Sequence, residues 1–476
     1  MVDYLAILPE IALLVLAAIL LLVDIRLKEE GKDTLNWIAL FGLVITFVLT
    51  ILLAQPGEEE VIWGGMLRHD WMAFVFRLVF IAGAAFTVVF SRGWEAIGDR
   101  GEFYGLLVLS TLGMTLMGAA GDLVMLLLAI ETASIPLYIM AGFSTKDGKS
   151  AEAGFKYLLF GAMTSAVMMY GFSLLFGFGG TTDIYALADA IAAGNVPTLP
   201  LMTSIILVLV GFGFKISMFP FHFWSPDVYE GAPTPVTGFL STASKAAGFA
   251  VLVRVMLVAF PSVTVEWQTL LAILSAITMT VGNLVALRQT NIKRMLAYSS
   301  IGHAGYILMG VAAASSLGVI SVVYYIAAYL LTNLAAFGFV AIYYKQTGSD
   351  EIEDYAGFSR RSPGLAFAML FTFLSLGGIP PLGGFFGKLL VFSAAIQADM
   401  VWLAVVGVLN AVIALYYYLT VIKFVYLRRQ EGDEVPFPVA KSQSLAIIIC
   451  VLGVTFLGVI MAPMFELAQK VASSFF

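Results

Sequence analysis

Apolar windows of about 20 residues follow one another along almost the whole chain, separated by short stretches in which the charges collect. A helix of that length spans a hydrocarbon core of about 30 Å. The windows lie near 4–24, 35–54, 71–91, 104–120, 122–142, 154–178, 201–221, 236–260, 267–287, 296–314, 319–344, 363–397, 402–424 and 444–466. They predict an all-α polytopic membrane protein of about fourteen transmembrane helices, numbered 1–14 in that order. The twelfth window is too long for one straight helix. It is interrupted by Gly377-Gly378-Ile379-Pro380-Pro381-Leu382-Gly383-Gly384, which predicts a broken helix 12. Helix 7 has the same kind of interruption, with Gly211, Gly213 and Pro220 around Lys215.

Composition agrees with the membrane class: 61% of residues are hydrophobic and 12% charged, against about 25% charged in soluble domains. The net charge of −6 is spread over loops, so the bilayer, and no nucleic acid, is the implied surrounding. The first window has Asp3 rather than positive charge before it and no small-residue cleavage site after it, so it reads as a spanning helix. The single cysteine, Cys450, can form no internal disulfide and cannot supply the thiolates of an iron–sulfur cluster. No His/Cys/Asp/Glu cluster has metal-ligand spacing. The expectation is a chain that binds neither a redox cofactor nor a metal.

Basic residues fix the orientation. Loops 1, 3, 5, 7, 9, 11 and 13, each numbered by the helix before it, hold 17 Lys and Arg: Arg26, Lys28, Lys32, Arg92, Arg100, Lys146, Lys149, Arg288, Lys293, Arg294, Lys345, Arg360, Arg361, Lys423, Arg428, Arg429 and Lys441. The even loops hold only Arg68. A miscounted central helix would mix the two sets. The positive-inside rule then places odd loops in the cytoplasm and both termini on the outer side.

The chain also looks internally repeated. Lys215 and Lys388 are 173 residues apart, Lys245 and Tyr418 also 173, and Glu131 and His303 172. That offset crosses five helices, an odd number, so the second copy is expected to be inverted. Inverted repeats with paired broken helices are the pattern of ion-translocating transporters. The expected division is 1–100 for flanking helices 1–3, 101–262 for helices 4–8, 263–430 for helices 9–13, and 431–476 for helix 14.

Six basic residues fall inside predicted helices: Arg77, Lys156, Lys215, Lys245, Arg254 and Lys388. Arg77 and Arg254 lie near outer helix ends, where snorkelling to the interface is expected. Lys156 is close to a cytoplasmic end, where snorkelling and function are equally available. Lys215, Lys245 and Lys388 are deeper, and each costs about 2.5–3.5 kcal/mol on the insertion scale. Such a cost marks a functional position rather than a packing one. Glu131 is the one carboxylate deep inside a helix, and pairing with Lys215 or Lys245 would let both be charged. Glu10, in helix 1, reads as a residue at the outer boundary. His303 falls at the repeat position of Glu131, which favours a relay role over that of a hydrogen-bonded core histidine. A proton relay through Glu131, Lys215, Lys245, His303 and Lys388, with Lys156 the least supported member, is the reading these residues carry.

The segment Gly213-Phe214-Lys215, followed by Pro220-Phe221-His222-Phe223-Trp224-Ser225-Pro226-Asp227-Val228-Tyr229-Glu230-Gly231-Ala232-Pro233-Thr234-Pro235-Val236 and by Ser244-Lys245, resembles the antiporter-like proton-translocating subunits of respiratory complex I. Among them it is most similar to the subunit N family of NADH-quinone oxidoreductases. Gly378-Ile379-Pro380-Pro381 before Lys388 and Lys293-Arg294-Met295-Leu296-Ala297-Tyr298-Ser299-Ser300-Ile301 fit as well, and the resemblance runs over nearly the whole chain. It implies a pair between Glu131 and Lys215, extension of the line through Lys245 and His303, and an outward path past Lys388. It also implies that NADH, flavin, iron–sulfur clusters and quinone are bound by other subunits of the complex. The partners it implies are antiporter-like subunit M and small subunit K, in the cell inner (plasma) membrane. Three alternatives stand beside it. One is a subunit of a multisubunit cation/proton antiporter or membrane-bound hydrogenase. The others are a stand-alone solute transporter and a scaffold whose buried ion pairs conduct nothing.

Overall fold

The computed structural model describes residues 4–27, 31–57, 59–94, 96–98, 100–430 and 432–476. Asp3 and Lys28, used above, lie outside the described residues. Among the described residues twelve helical segments are long and apolar enough to cross a membrane. Two more complete a set of fourteen. Helix 10, Ile292–Ala312, carries Lys293, Arg294 and His303. Helix 12 consists of two 15-residue halves, Pro363–Gly377 and Gly383–Gln397. The chain is a polytopic all-α membrane protein.

The remaining helices are helix 1 (Leu8–Arg26), helix 2 (Asp33–Leu53), helix 3 (Trp71–Ser91), helix 4 (Gly101–Ala119), helix 5 (Leu123–Ala141) and helix 6 (Gly148–Gly179). They continue with helix 7 (Thr198–Ile216, resumed as Trp224–Gly231), helix 8 (Thr234–Ala259) and helix 9 (Thr264–Ala286). Helix 11 (Ser316–Thr347), helix 13 (Val401–Leu427) and helix 14 (Lys441–Val459) close the series. Small elements cap the ends: a hairpin of β1 (Glu60–Ile62) and β2 (Leu67–His69), and short helices Ile184–Ala192 and Ala462–Ala472.

Loop contacts separate the two faces. Loops 2, 4 and 6 bridge one another through Leu67 with Ala120 and Asp122 with Asp183, and Arg254 near the end of helix 8 joins them at Asp70 and Tyr185. On the opposite face Arg92 of loop 3 meets Asp33, Lys149 meets Glu230, and Asn291 bridges Glu351. Even connections therefore touch even connections, and odd touch odd. Helix 4 starts on the odd face and helix 9 on the even face. The two five-helix series also match in length. Helices 6 and 11 each have 32 residues and stop at a left-handed glycine, Gly180 and Gly348, where any Cβ would be strained.

Both broken helices are observed. Helix 7 stops at Ile216 on left-handed Ser217 (φ 59°), and helix 12 stops at Gly377 on left-handed Gly378 (φ 83°). A cis X–Pro bond follows each, at Phe219–Pro220 and Pro380–Pro381. A break frees backbone groups that neighbouring protein must satisfy. Helix 9 meets part of that need at the first break, where Phe219 N–H donates to Thr278 Oγ1 at 3.1 Å. The breaks are not equally placed. Helix 12 divides into equal halves, whereas helix 7 divides into 19 and 8 residues.

Two expectations are corrected. Arg77 and Arg254 do not snorkel: they are 1% and 2% exposed. The hairpin and even loops fold over these helix ends and exclude water there, so both guanidinium groups are paired instead. Arg77 Nε lies 2.8 Å from Glu10 Oε1, and Arg77 also reaches His69 Nδ1 at 3.2 Å. Burial and the Arg77 charge hold His69 below the usual imidazole range, consistent with a neutral acceptor. Arg254 grips Asp70 through two bonds, of 2.7 and 3.0 Å. Glu10 is accordingly a buried partner rather than a boundary residue.

The second correction concerns the lysine offset. Aligned on their breaks, the two helices are 161 residues apart, so Lys388 is not the repeat counterpart of Lys215. Lys215 ends the first segment of helix 7, while Lys388 lies in the second half of helix 12 and reaches back to the break.

Candidate functional site: a buried line of lysines

Lys215 sits in the last turn of its helical segment and points its amine at helix 5, donating to Ser134 Oγ at 2.8 Å. Glu131 is three residues before Ser134 and shares its helix face. No ion pair joins the Glu131 carboxylate to Lys215, whose amine rests on Ser134 instead. Glu131 is also only half-buried, at the edge of this chain's own bundle. A cavity of about 10 Å³, lined by Ser134, Tyr138, Thr164, Ser165 and Lys215, has room for roughly one water.

Helix 8 brings the second lysine alongside. Its residues Leu240–Ser244 form a π-turn, a widened turn frequent at functional positions, and Lys245 follows directly. One turn on, Gly248 lets the Lys215 stem pass: a Cβ there would lie 3.1 Å from Lys215 Cγ. Lys245 Nζ donates to Ser300 Oγ of helix 10 at 2.6 Å, and Tyr329 of helix 11 donates to the same oxygen at 2.9 Å. Asn333, one turn further along helix 11, ties Tyr329 to Ser241 of helix 8.

Helix 10 carries the line onward. Ser299 and His303 are four residues apart on one face, and both bond the Tyr418 hydroxyl of helix 13, His303 through Nε2 at 3.1 Å. His303 Nδ1 meets the Tyr325 hydroxyl of helix 11 at 2.7 Å. Lys388 lies beyond, its amine 5.2 Å from the centre of the Tyr306 ring. It donates to the carbonyl oxygens of Leu376 and Gly377, at 2.9 and 3.0 Å. These are the last carbonyls of the first half of helix 12, the negative end of that half-helix.

Among the described residues none of Lys215, Lys245 and Lys388 has a carboxylate within ion-pairing distance, although all three are buried. Each amine instead rests on a neutral oxygen. A hydroxyl can accept a proton as well as donate one, and Ser134, Ser300, Tyr325, Tyr329 and Tyr418 place that capacity beside Lys215, Lys245 and His303.

Lys156 is placed apart from this line. Its amine contacts Asp227 Oδ2 at 2.5 Å and Glu152 Oε1 at 2.6 Å. Asp227 and Glu230 are in turn held by Arg294, at 2.9 and 2.8 Å, and Lys149 holds Glu230 at 2.9 Å. This is a partly exposed charge network on the odd face. The hydroxyl partners escaped the sequence reading because serine and tyrosine are frequent in apolar helices. The short spacing of Ser299, Ser300 and His303 was the one available signal.

A family model described as the transmembrane region of NADH:quinone oxidoreductase and Mrp antiporter proteins matches residues 120–414. The chain is 44% identical over 463 residues to the NADH-quinone oxidoreductase subunit N of Moorella thermoacetica, covering 96% of each chain. It is 40% identical to the subunit N of Trichlorobacter lovleyi, covering 98% of this chain and 96% of that one. A chain in the structure of respiratory complex I from Thermus thermophilus superposes with a TM-score of 0.83 at 33% identity, covering 97% of this chain and 99% of that one. The Mrp complex from a Dietzia species gives a TM-score of 0.87 at 19% identity, covering 99% and 97%, a likeness of fold alone.

Proposed function

The chain belongs to the subunit N family of NADH-quinone oxidoreductases, and on that premise we propose that it is a proton-translocating membrane-arm subunit working through Glu131, Lys215, Lys245, His303 and Lys388. The observation that carries this reading is the burial of three bonded sets of amine, imidazole and hydroxyl groups, Lys215 with Ser134, Lys245 with Ser300 and Tyr329, and His303 with Tyr325 and Tyr418, with Lys388 beyond them. Protons move along it; electrons move elsewhere, since NADH, flavin, iron–sulfur clusters and quinone belong to other subunits. Lys156 serves the odd-face charge network rather than the line.

The 17-to-one bias of basic residues orients the chain, with odd loops in the cytoplasm and both termini outside, in the cell inner (plasma) membrane. Residues 101–262 and 263–430 are the two inverted units, flanked by 1–100 and 431–476. The neighbours are antiporter-like subunit M and small subunit K, and the half-buried Glu131 at the bundle edge suits contact with another subunit.

The test is proton pumping by the whole complex in inverted membrane vesicles, followed by quenching of a pH-sensitive dye, with assembly checked on native gels. Lys215→Ala and Lys245→Ala should each assemble yet slow pumping by on the order of tenfold or more, as expected for removal of a positioned proton carrier. Assembled Lys245→Ala complex that pumps at the unsubstituted rate would remove the relay reading and leave a scaffold.

A further inference from the structure

Loop 11 folds back onto the start of helix 10. Ile292 N–H donates to Asp350 O, and Ile352 N–H to Thr290 O, both at 2.8 Å. The pinned loop closes one wall of a cleft of about 530 Å³ on the odd face, lined by Asp147, Lys149, Glu230, Lys293, Ser349 and Asp350 among others. Lys293 lies at its floor with a side chain only 5% exposed. Its amine donates to Ala232 O at 2.9 Å and stands 3.9 Å from Asp350 Oδ2. The other carboxylate oxygen, Asp350 Oδ1, is buried and has no hydrogen-bond partner.

Three more hydroxyls belong to residues with no solvent exposure: Thr234, which has no hydrogen-bond partner, and Tyr229 and Ser225, with Tyr229 beside both Ser225 and Ser300, the oxygen that holds Lys245. Thr234 is two residues from the carbonyl that holds Lys293. Tyr229 and Ser225 are one turn apart on the short helix after the helix 7 break. The Tyr229 ring centre is 5.7 Å from Lys245 Nζ. Buried polar groups are nearly always satisfied, by ordered water where protein does not supply a partner. Asp350 Oδ1 and Thr234 Oγ1 therefore call for ordered water, and the Ser225, Tyr229 and Ser300 hydroxyls continue from there toward Lys245.

We propose that this cleft is the proton-loading mouth of the chain, where Asp350 takes up protons from the cytoplasm and water held by Thr234, with the Ser225 and Tyr229 hydroxyls, passes them to Lys245. The proposal rests on the orientation and relay set out above. Only O–H and N–H bonds form and break: a cytoplasmic proton joins the Asp350 carboxylate, moves through water and hydroxyls, and ends on the Lys245 amine. Lys293 is a positioning residue, fixing the carboxylate at the floor without touching the Lys245 end. Burial pushes the Asp350 carboxyl up from the usual carboxylate range, with the Lys293 charge opposing that shift.

Two experiments on the assembled complex in inverted vesicles, whose outer face is the cytoplasmic one, test this. Tyr229→Phe and Asp350→Asn should slow dye quenching by on the order of tenfold, and Asp350→Glu should restore most of it. Adding a charged, membrane-impermeant thiol reagent outside the inverted vesicles should cut pumping by a Ser349→Cys complex by on the order of tenfold from its own rate before labelling; the unsubstituted complex should not respond. The cysteine arm decides the matter even if a substitution at Asp350 or Tyr229 prevents assembly. Normal pumping by Tyr229→Phe and Asp350→Asn, or an unchanged rate on labelling of Ser349→Cys, while Lys245→Ala pumps poorly, overturns the mouth and leaves the relay. Normal pumping by Lys245→Ala overturns both.

Discussion

A Lys388→Arg complex should assemble fully and pump poorly. The expectation comes from two tasks that meet on one side chain. Lys388 caps the carbonyls of Leu376 and Gly377 at the break of helix 12, and in the proposed relay it is also the last proton carrier, beyond His303 and Tyr306. Alanine removes both tasks together, leaving two buried carbonyls unpartnered at about 1–3 kcal/mol each, so a failed Lys388→Ala complex would say little about protons. Arginine separates them. Its guanidinium can donate to both carbonyls but does not deprotonate in proteins. Assembly on native gels should be unchanged while dye quenching falls by on the order of tenfold or more. Assembled Lys388→Arg complex pumping at the unsubstituted rate would make Lys388 a cap and nothing else.

The second large effect concerns stability rather than transport. Asp70→Asn should keep helix 3 capped, because asparagine accepts the Ala73 N–H that Asp70 now accepts at 2.8 Å. It removes the charge opposing Arg254, which is 2% exposed, and breaking a buried ion pair from one side costs about 3–5 kcal/mol. That is a large part of the 5–15 kcal/mol by which typical folded proteins are stable. Arg254→Met alone should cost less, since Asp70 retains its bond to the helix 3 backbone. Adding Arg254→Met to Asp70→Asn should recover most of the loss. The measurements are the yield of assembled complex and its thermal inactivation midpoint in detergent. If Asp70→Asn matches the unsubstituted complex in both, the pair does not hold the even face together.

The helices were legible because hydrophobic length and loop charge are independent signals that had to agree. The contacts among even loops and among odd loops follow the same alternation as the basic residues. The broken helices were legible because glycine and proline mark the places where a helix cannot continue. Partner choice was not. Arg77 and Arg254 near helix ends gave a snorkelling expectation, since nothing in a linear pattern shows that a hairpin 60–69 will cover those ends. Glu131 was read as the partner of Lys215 or Lys245 from opposite charge. The serine that holds Lys215 depends on which face of helix 5 turns toward helix 7, and apolar surroundings on all sides leave that face unmarked. The repeat offset misled for a related reason. Lysine side chains are long enough to reach the same kind of place from either side of a break, so equal spacing in sequence did not mean equal position in the fold.

Helix 11 has a mechanical consequence. Its 32 residues make a rod about 48 Å long. Along that rod are Tyr325, bonded to His303; Tyr329, sharing Ser300 with Lys245; and Asn333, bonded to Ser241. Its far end leads into the loop bearing Asp350, and near its start Tyr324 donates to the Leu457 carbonyl of helix 14. A lever of about 48 Å that tilts by about one degree moves one tip by roughly 0.8 Å relative to the other. A bond of 2.9 Å stretched by that much is no longer a hydrogen bond. Small rigid motions of this one beam would thus lengthen some junctions of the line while shortening others, in an order set by their distance from the pivot. A stress applied at either tip by a neighbouring subunit would be felt at every junction without any residue between them changing its rotamer.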